Sequence, residues 1–330
     1  MIAATGFITM RQFLTIIVCC LAIPAFCARA EERRFEFIYE VLNSDFPPGE
    51  AVEVYVPIPS DTVGQKILSQ SFQSTWRGEI GEEAMHGNRY YRLQRDAGDS
   101  TPLEARLSWT LLRQPVAAYG VGELSESQRR RALEADLLVP VNHEILQPIL
   151  TEIYAKRSNE SSAATARAIY DWIVDNVEYK KSGNGWGNGD AFWACNERYG
   201  NCTDFHALFI SLARSEGIPA QFEIGFPVPA DRPEGQIGGY HCWVHFYLPE
   251  TGWLPIDASE AAKHPEMRES LYGGNPADRI HFSSGRDLVL SEASRKQPLN
   301  YFIYPYAEVA GEPWAEKIKT RFSYRDLPGV

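Results

Sequence analysis

The sequence predicts an α+β fold, an all-β unit followed by a mixed unit, on three observations. Residues 35–115 alternate apolar and polar side chains between Gly, Pro and Asp punctuation. Residues 125–180 change to helical spacing. Residues 202–259 run helix, strand and hairpin, with a cysteine where the helix begins. The chain has 330 residues, 44% of them hydrophobic and 23% charged, an ordinary globular composition long enough for about two units.

The first thirty residues read as an export signal. Phe13–Phe26 is an apolar stretch of signal-peptide length, Arg11 precedes it, and Ala28-Arg29-Ala30 fits a small-x-small cleavage site. The stretch is short for a membrane span, so no span is expected after cleavage, and a periplasmic or secreted location follows. Cys19, Cys20 and Cys27 leave with the signal; Cys195, Cys202 and Cys242 remain. An odd count in an oxidising compartment leaves at least one thiol unpaired. Net charge is −11 with no clustered basic patch, which argues against a nucleic-acid partner.

Residues 31–118 are expected to form a β-sandwich. FEFIYEV (35–41) and AVEVYVPI (51–58) alternate across the turn signal FPPG; NRYYRL (88–93) and EARLSWTLLR (104–113) add two strands. Residues 119–140 are read as a linker helix, and the break near Pro140 opens a second unit, residues 141–330. HEILQPILTEIYAKR (143–157) carries Ile145, Ile149 and Ile153 at four-residue steps, with Pro148 marking the first turn of the helix proper. In ATARAIYDWIVDNV (164–177), Ala166, Ile169, Trp172 and Ile173 share one face. KKSGNGWGNGD (180–190) is a loop by composition. It lacks the Gly-Lys-Ser/Thr ending of a phosphate-binding loop, and a mobile cleft wall is expected.

Cys202–Arg214 fits a helix with Phe205, Leu208, Phe209 and Leu212 as its apolar stripe, and Gly217 and Pro219 end it. Cys202 therefore sits in the first turn, where the unpaired amides and the helix dipole favour a thiolate, the nucleophilic form. The same amides can face an oxyanion on an attacked carbonyl. QFEIGF (221–226) reads as a strand, a polar loop follows, and residues 240–259 read as a hairpin. There His241, Trp243, His245 and Tyr247 take one face, and Cys242, Val244, Phe246 and Leu248 the other. His241 is a candidate base for Cys202, and Asp257 a candidate to orient the imidazole. The hairpin count leaves the pairing open. A Leu248–Gly252 loop pairs Tyr247 with Trp253 and sets Asp257 diagonal to His241. A Pro249–Gly252 loop puts it on the wrong face. A Glu250–Gly252 loop pairs it with His245. Downstream, residues 278–290 and 299–309 read as strands that extend the sheet; Arg279 and Arg286 are candidates to bind a carboxylate, with solvated or salt-bridged arginines the preferred reading.

The blocks GNCTDFHALFISLARSEGIPAQFEIGF, then HCWVHFYLPETGWLPIDAS, resemble the transglutaminase-like superfamily. The matching positions are Gly200, Cys202, Asp204, Leu208, Arg214, Gly217, Ile218, Pro219 and Ala220, then His241 and Trp243, then Gly252, Trp253, Pro255 and Asp257. The resemblance covers residues 165–260 and implies a papain-like α/β fold with Cys202, His241 and Asp257 as catalytic triad. It resolves the hairpin ambiguity toward His241. His245 stands where that pattern has Glu, and Gln221 where it has Arg. Tyr179 and Trp186 are candidates for a second oxyanion donor.

The function implied is a cysteine-dependent amide hydrolase or acyltransferase working through an acyl-thioester on a peptide or protein substrate. The alternative is a catalytically silent binding or assembly module. The sequence points to no cofactor and no metal. A Cys202/His206/His241/His245 zinc set is the competing reading, but strand residues four apart lie roughly 13 Å from each other, too far for one ion. A disulfide from Cys202 to Cys195 or Cys242 would silence the thiol.

Overall fold

The computed structural model describes Met1, residues 32–42 and residues 45–328; apart from Met1, the expected signal segment lies outside the described residues. Two five-stranded antiparallel sheets face each other as the sandwich. In Arg33–Val41 the alternation FEFIYEV does what a half-buried strand requires: Phe35, Phe37, Tyr39 and Val41 are buried between polar neighbours. This strand lies between Ala105–Arg113 on one side and Thr320–Asp326 on the other. Val52–Pro57 lies between Arg89–Arg95 and Tyr306–Val309 in the second sheet.

Two expectations about the division of the chain are corrected here. The C-terminal strands Tyr306–Val309 and Thr320–Asp326 complete the sandwich sheets, so a second unit running to residue 330 does not follow the sheets. Residues 299–309 thus do not extend the hairpin's sheet. Residues 119–140 hold a helix only over Glu126–Arg131; before it, Val116 bridges Asn275 and Tyr119 bridges Trp253, so this stretch crosses the edge of the second unit. Gln65–Ser74 and Arg77–Glu82 are further strands that the sequence reading left out.

The second unit centres on a four-stranded antiparallel sheet in the order Gly252–Ile256, His241–Leu248, Ala220–Pro227, Arg279–Ser284. The last of these is the expected extension by residues 278–290. The helix Cys202–Ser215 packs on this sheet, with Ser162–Asn176 and Ala191–Glu197 against its other sides. The helix is buried throughout from Cys202 to Arg214, not only along its apolar stripe. Two of its buried polar side chains find partners: Arg214 donates to Ala220 O at 3.1 Å and pairs with Asp136 at 2.7 Å, and Ser211 donates to Pro140 O. Glycine is required at 225, where a Cβ would sit 1.7 Å from Ile280 O across the tight contact with the edge strand.

The sandwich and the second unit share one core. Phe37 contacts Phe226 and Phe282 of the four-stranded sheet at ring separations of 5.3 and 5.5 Å. Gln65 closes the seam by donating to His281 O and accepting from His281 N, at 2.9 and 2.8 Å. Among the described residues no helix is long and apolar enough to cross a membrane.

Candidate active site

Local chemistry starts the Cys202 helix where the sequence places it. Asn201 caps it, its side chain accepting from Thr203 N at 2.9 Å, and Asp204 reaches back to Asn201 N at 2.9 Å, a reciprocal capping box. The fully buried Asp204 carboxylate also accepts from Gly187 N at 2.7 Å and Gly189 N at 3.0 Å. Arg286, read from sequence as solvated or salt-bridged, is buried and donates to Gly189 O at 2.7 Å. The glycine-rich loop is therefore pinned from two sides, which corrects its reading as a mobile wall.

The hairpin adopts the first of the three registers. Tyr247 pairs with Trp253 and Val244 with Ile256, and Asp257 follows directly. Asp257 is at the same time the cap of the short helix Ala258–Lys263: its Oδ1 accepts from Glu260 N and Ser259 Oγ, each at 2.9 Å. That capping geometry turns Oδ2 outward, and His241 Nε2 donates to it at 2.6 Å. On its other side His241 faces Cys202, whose thiol adds to the raising of the imidazole. The structure thus brings all three sequence-derived candidates into one chain, Cys202–His241–Asp257. All three are buried, Cys202 at 2% exposure, His241 at 6% and Asp257 at 0%.

The electrostatics follow from these contacts. The hydrogen bond from Cys242 pulls the Cys202 thiol well below its ordinary range; burial opposes this, and His241 adds to the lowering. Burial alone would keep His241 neutral, but the Asp257 charge outweighs it and raises the imidazole to about 9, Arg279 working against it. Burial likewise opposes ionisation of Asp257, yet His241 and Arg279 hold the carboxylate well below its usual range. A thiolate–imidazolium pair on a charged carboxylate is the arrangement these shifts favour.

Three residues of this cluster were not assigned to it from sequence. Arg279, read as solvated or salt-bridged, is buried and pairs with Asp257 Oδ2 at 2.7 Å. His206 stands with Nε2 3.5 Å from Asp257 Oδ1 and Nδ1 3.4 Å from Cys242 Sγ. Cys242, on the opposite strand face from His241 by alternation, has its thiol raised by burial and by Cys202 beside it. The four-residue spacing from Cys202 to His206 was the available signal. Among the described residues Cys195, Cys202 and Cys242 are free thiols, so none of the disulfides weighed above is present in this structure.

The competing zinc set is split. His245 lies away from the cluster, with Tyr119 Oη 2.9 Å from its Nδ1 and Glu223 3.6 Å away. Ligand atoms of His241, Asp257 and Glu260 do come within 4.8 Å of one another, but the His241 nitrogen nearest Asp257 already donates to it. Of the oxyanion candidates, Trp186 donates to Gly183 O at 3.1 Å inside its own loop. Tyr179 instead lines a cleft of about 390 Å³ beside His241, with Tyr240, Glu260 and Lys263.

Residues 149–258 match the model of the Transglutaminase-like superfamily, and this segment of the chain is a transglutaminase-like domain. An uncharacterized protein of Haemophilus influenzae is 30% identical over 212 residues, 54% of this chain and 57% of that protein. The uncharacterized protein YebA of Bacillus subtilis is 29% identical over 77 residues, 21% of this chain and 10% of YebA. The chain thus spans little more than half of the first relative and a tenth of the second. Among solved structures, a proposed cysteine protease from Cytophaga hutchinsonii superposes with a TM-score of 0.59 at 20% identity, covering 91% of this chain and 92% of that one, which establishes likeness of fold.

Proposed function

We propose that the protein is an exported cysteine-dependent amide hydrolase in which Cys202 is the nucleophile, His241 the general base and acid, and Asp257 the group that orients and charges the imidazole. The observation that carries this reading is the 2.6 Å link from His241 to the fully buried Asp257 carboxylate, with buried Cys202 opening the helix that packs on the His241 strand. The Cys202 thiolate attacks an amide carbonyl carbon. The imidazolium of His241 gives its proton to the departing amine, and an acyl-thioester on Cys202 results. His241 then takes a proton from water, the hydroxyl oxygen joins the acyl carbon, and the thiolate leaves. An amine in place of water would make the reaction a transamidation; hydrolysis is preferred because water is the abundant acceptor. A peptide or related amide suits the open cleft beside His241, and the proposed protease activity of the Cytophaga hutchinsonii protein points the same way. Export rests on the apolar segment after Arg11.

The test is a panel of peptide and glutamine amides incubated with the protein and with Cys202→Ala, the products read by mass spectrometry. Release of an amine that requires Cys202 supports the reading. Equal turnover in Cys202→Ala, or none on the whole panel by a protein with a reactive Cys202, contradicts it.

A further inference from the structure

Asp257 carries two cysteine–histidine arms, and the proposed amide chemistry uses one. Along the first arm Asp257 Oδ2 meets His241 Nε2 at 2.6 Å, and His241 meets Cys202. Along the second, Asp257 Oδ1 lies 3.5 Å from His206 Nε2, and His206 Nδ1 lies 3.4 Å from Cys242 Sγ. The arms converge: His206 lies one turn along the helix from Cys202, and its imidazole reaches the Cys242 thiol, which places Cys242 beside the first turn of that helix. The fold makes this convergence: the helix that begins at Cys202 packs on the strand that begins at His241, so the first turn of one meets the first residues of the other. Cys242 is fully buried, and no step of amide hydrolysis needs it. A second thiol in contact with an activated one, with its own imidazole, is the constellation of a two-cysteine peroxide reaction, in which one sulfur is oxidised and the other resolves it.

We propose that Cys202 and Cys242 form a redox site that reacts with hydrogen peroxide to give an internal disulfide, with His206 as the base that activates Cys242. The Cys202 thiolate attacks one peroxide oxygen and the O–O bond breaks. Cys202 becomes a sulfenic acid, and the hydroxide released takes up a proton to become water. His206 then accepts the Cys242 proton, the Cys242 sulfur attacks the Cys202 sulfur, and the S–O bond breaks. The sulfenic oxygen leaves as hydroxide and becomes water with the proton held on His206. In sum two thiols and one peroxide give one disulfide and two waters; peroxide is reduced and the two sulfurs oxidised. The disulfide protects Cys202 from the irreversible sulfinic and sulfonic acids, and a dithiol reductant returns it.

The inference rests on the activated Cys202 thiolate proposed above, but its product is a disulfide and its readout needs no amide substrate. The whole protein is treated with graded hydrogen peroxide, quenched in denaturant with an alkylating agent, and mapped by peptide mass spectrometry. The expected result is a Cys202–Cys242 cross-linked peptide, about 2 Da lighter than its two parts and restored in full by dithiothreitol. In Cys242→Ser the cross-link is lost and Cys202 passes to sulfinic acid, unrecovered by dithiothreitol. In His206→Asn, closure slows and sulfinic acid competes with it. Sulfinic acid on Cys202 at equal doses in wild type and Cys242→Ser, without a cross-link, overturns the inference while leaving the thiolate intact. A Cys202 inert to both peroxide and iodoacetamide overturns the inference and the thiolate together. Should Cys242→Ser not fold, the wild-type peptide map alone decides, through presence or absence of the cross-link.

Discussion

His241 and His245 stand four residues apart on one strand, the first buried and the second half-buried, and the fold gives them opposite protonation states. His241 meets a carboxylate, Asp257, at 2.6 Å and is raised to about 9 against the pull of burial. His245 is lowered to about 4, mainly by burial. Its nearest carboxylate, Glu223, is 3.6 Å away and committed to His281 at 2.7 Å; His281 and Arg113 add positive charge, and Tyr119 meets its Nδ1. The residue type is the same, so the difference lies in how closely a carboxylate meets the ring, 2.6 Å for Asp257 against 3.6 Å for Glu223. A histidine on this sheet is a usable base only where a capping aspartate has been turned toward it.

The largest expected effect breaks the comparison at its working member. His241→Ala should lower the rate of amide cleavage by roughly 10²–10⁴, the usual worth of a positioned acid–base group, while His245→Gln stays within about threefold of wild type. Paired kcat/KM measurements on the best substrate of the panel check this. Equal losses in the two variants would erase the distinction.

Next is the carboxylate. Asp257→Asn leaves Arg279 and His241 without their charge partner in a buried site, and should cost about 3–5 kcal/mol of stability, read as a lowered urea midpoint. The cost should be larger than that of Glu260→Gln, whose side chain is partly exposed.

The third prediction is a pH dependence. His245 has its folded value depressed below the ordinary 6.5, so between about pH 6.5 and 4 the unfolded chain binds a proton that the folded chain refuses. Its contribution is therefore complete above pH 6.5 and is lost as pH falls toward 4, by at most about 3 kcal/mol. Urea melts across that window should show a shallower slope in His245→Gln than in wild type. For His241 the sign is reversed: its raised value adds stability that is present below 6.5 and lost as pH rises through about 9.

The smallest effect concerns the departure from the superfamily pattern. His245 faces Gln221 across the strand pair, where that pattern has Glu and Arg. His245→Glu alone sets a second acid beside Glu223 and should destabilise; adding Gln221→Arg should recover about 0.5–1 kcal/mol of the loss, as a double-mutant cycle would measure.

The same contrast explains what could be read from the sequence. The start of the Cys202 helix was legible because its capping residues are neighbours in sequence, and the hairpin count contained the correct register among its three alternatives. Strands Arg33–Val41 and Ala105–Arg113 were legible because one face is buried and the other is not. Gln65–Ser74 was missed because it lies at a sheet edge and is largely exposed, which removes the alternation. The return of Thr320–Asp326 to pair with Arg33–Val41 was illegible because no local pattern specifies a partner nearly the whole chain away. That Arg279 and His206 meet Asp257 was illegible for the same reason: each does so only through the packing of separate elements. Alternation put Cys242 on the far face from His241, and it carries no information about a helix end that touches both.

The central claim is an activated Cys202–His241 pair, and the rate of Cys202 alkylation against pH, in wild type and in His241→Ala, tests it most directly. Peptide mapping separates Cys202 from Cys195, whose thiol burial pushes up to about 12. The account predicts that Cys202 reacts well below the free-thiol pKa of about 8.5, and that His241→Ala moves its profile upward. A Cys202 that is inert across the range, or that titrates identically in both proteins, would contradict it.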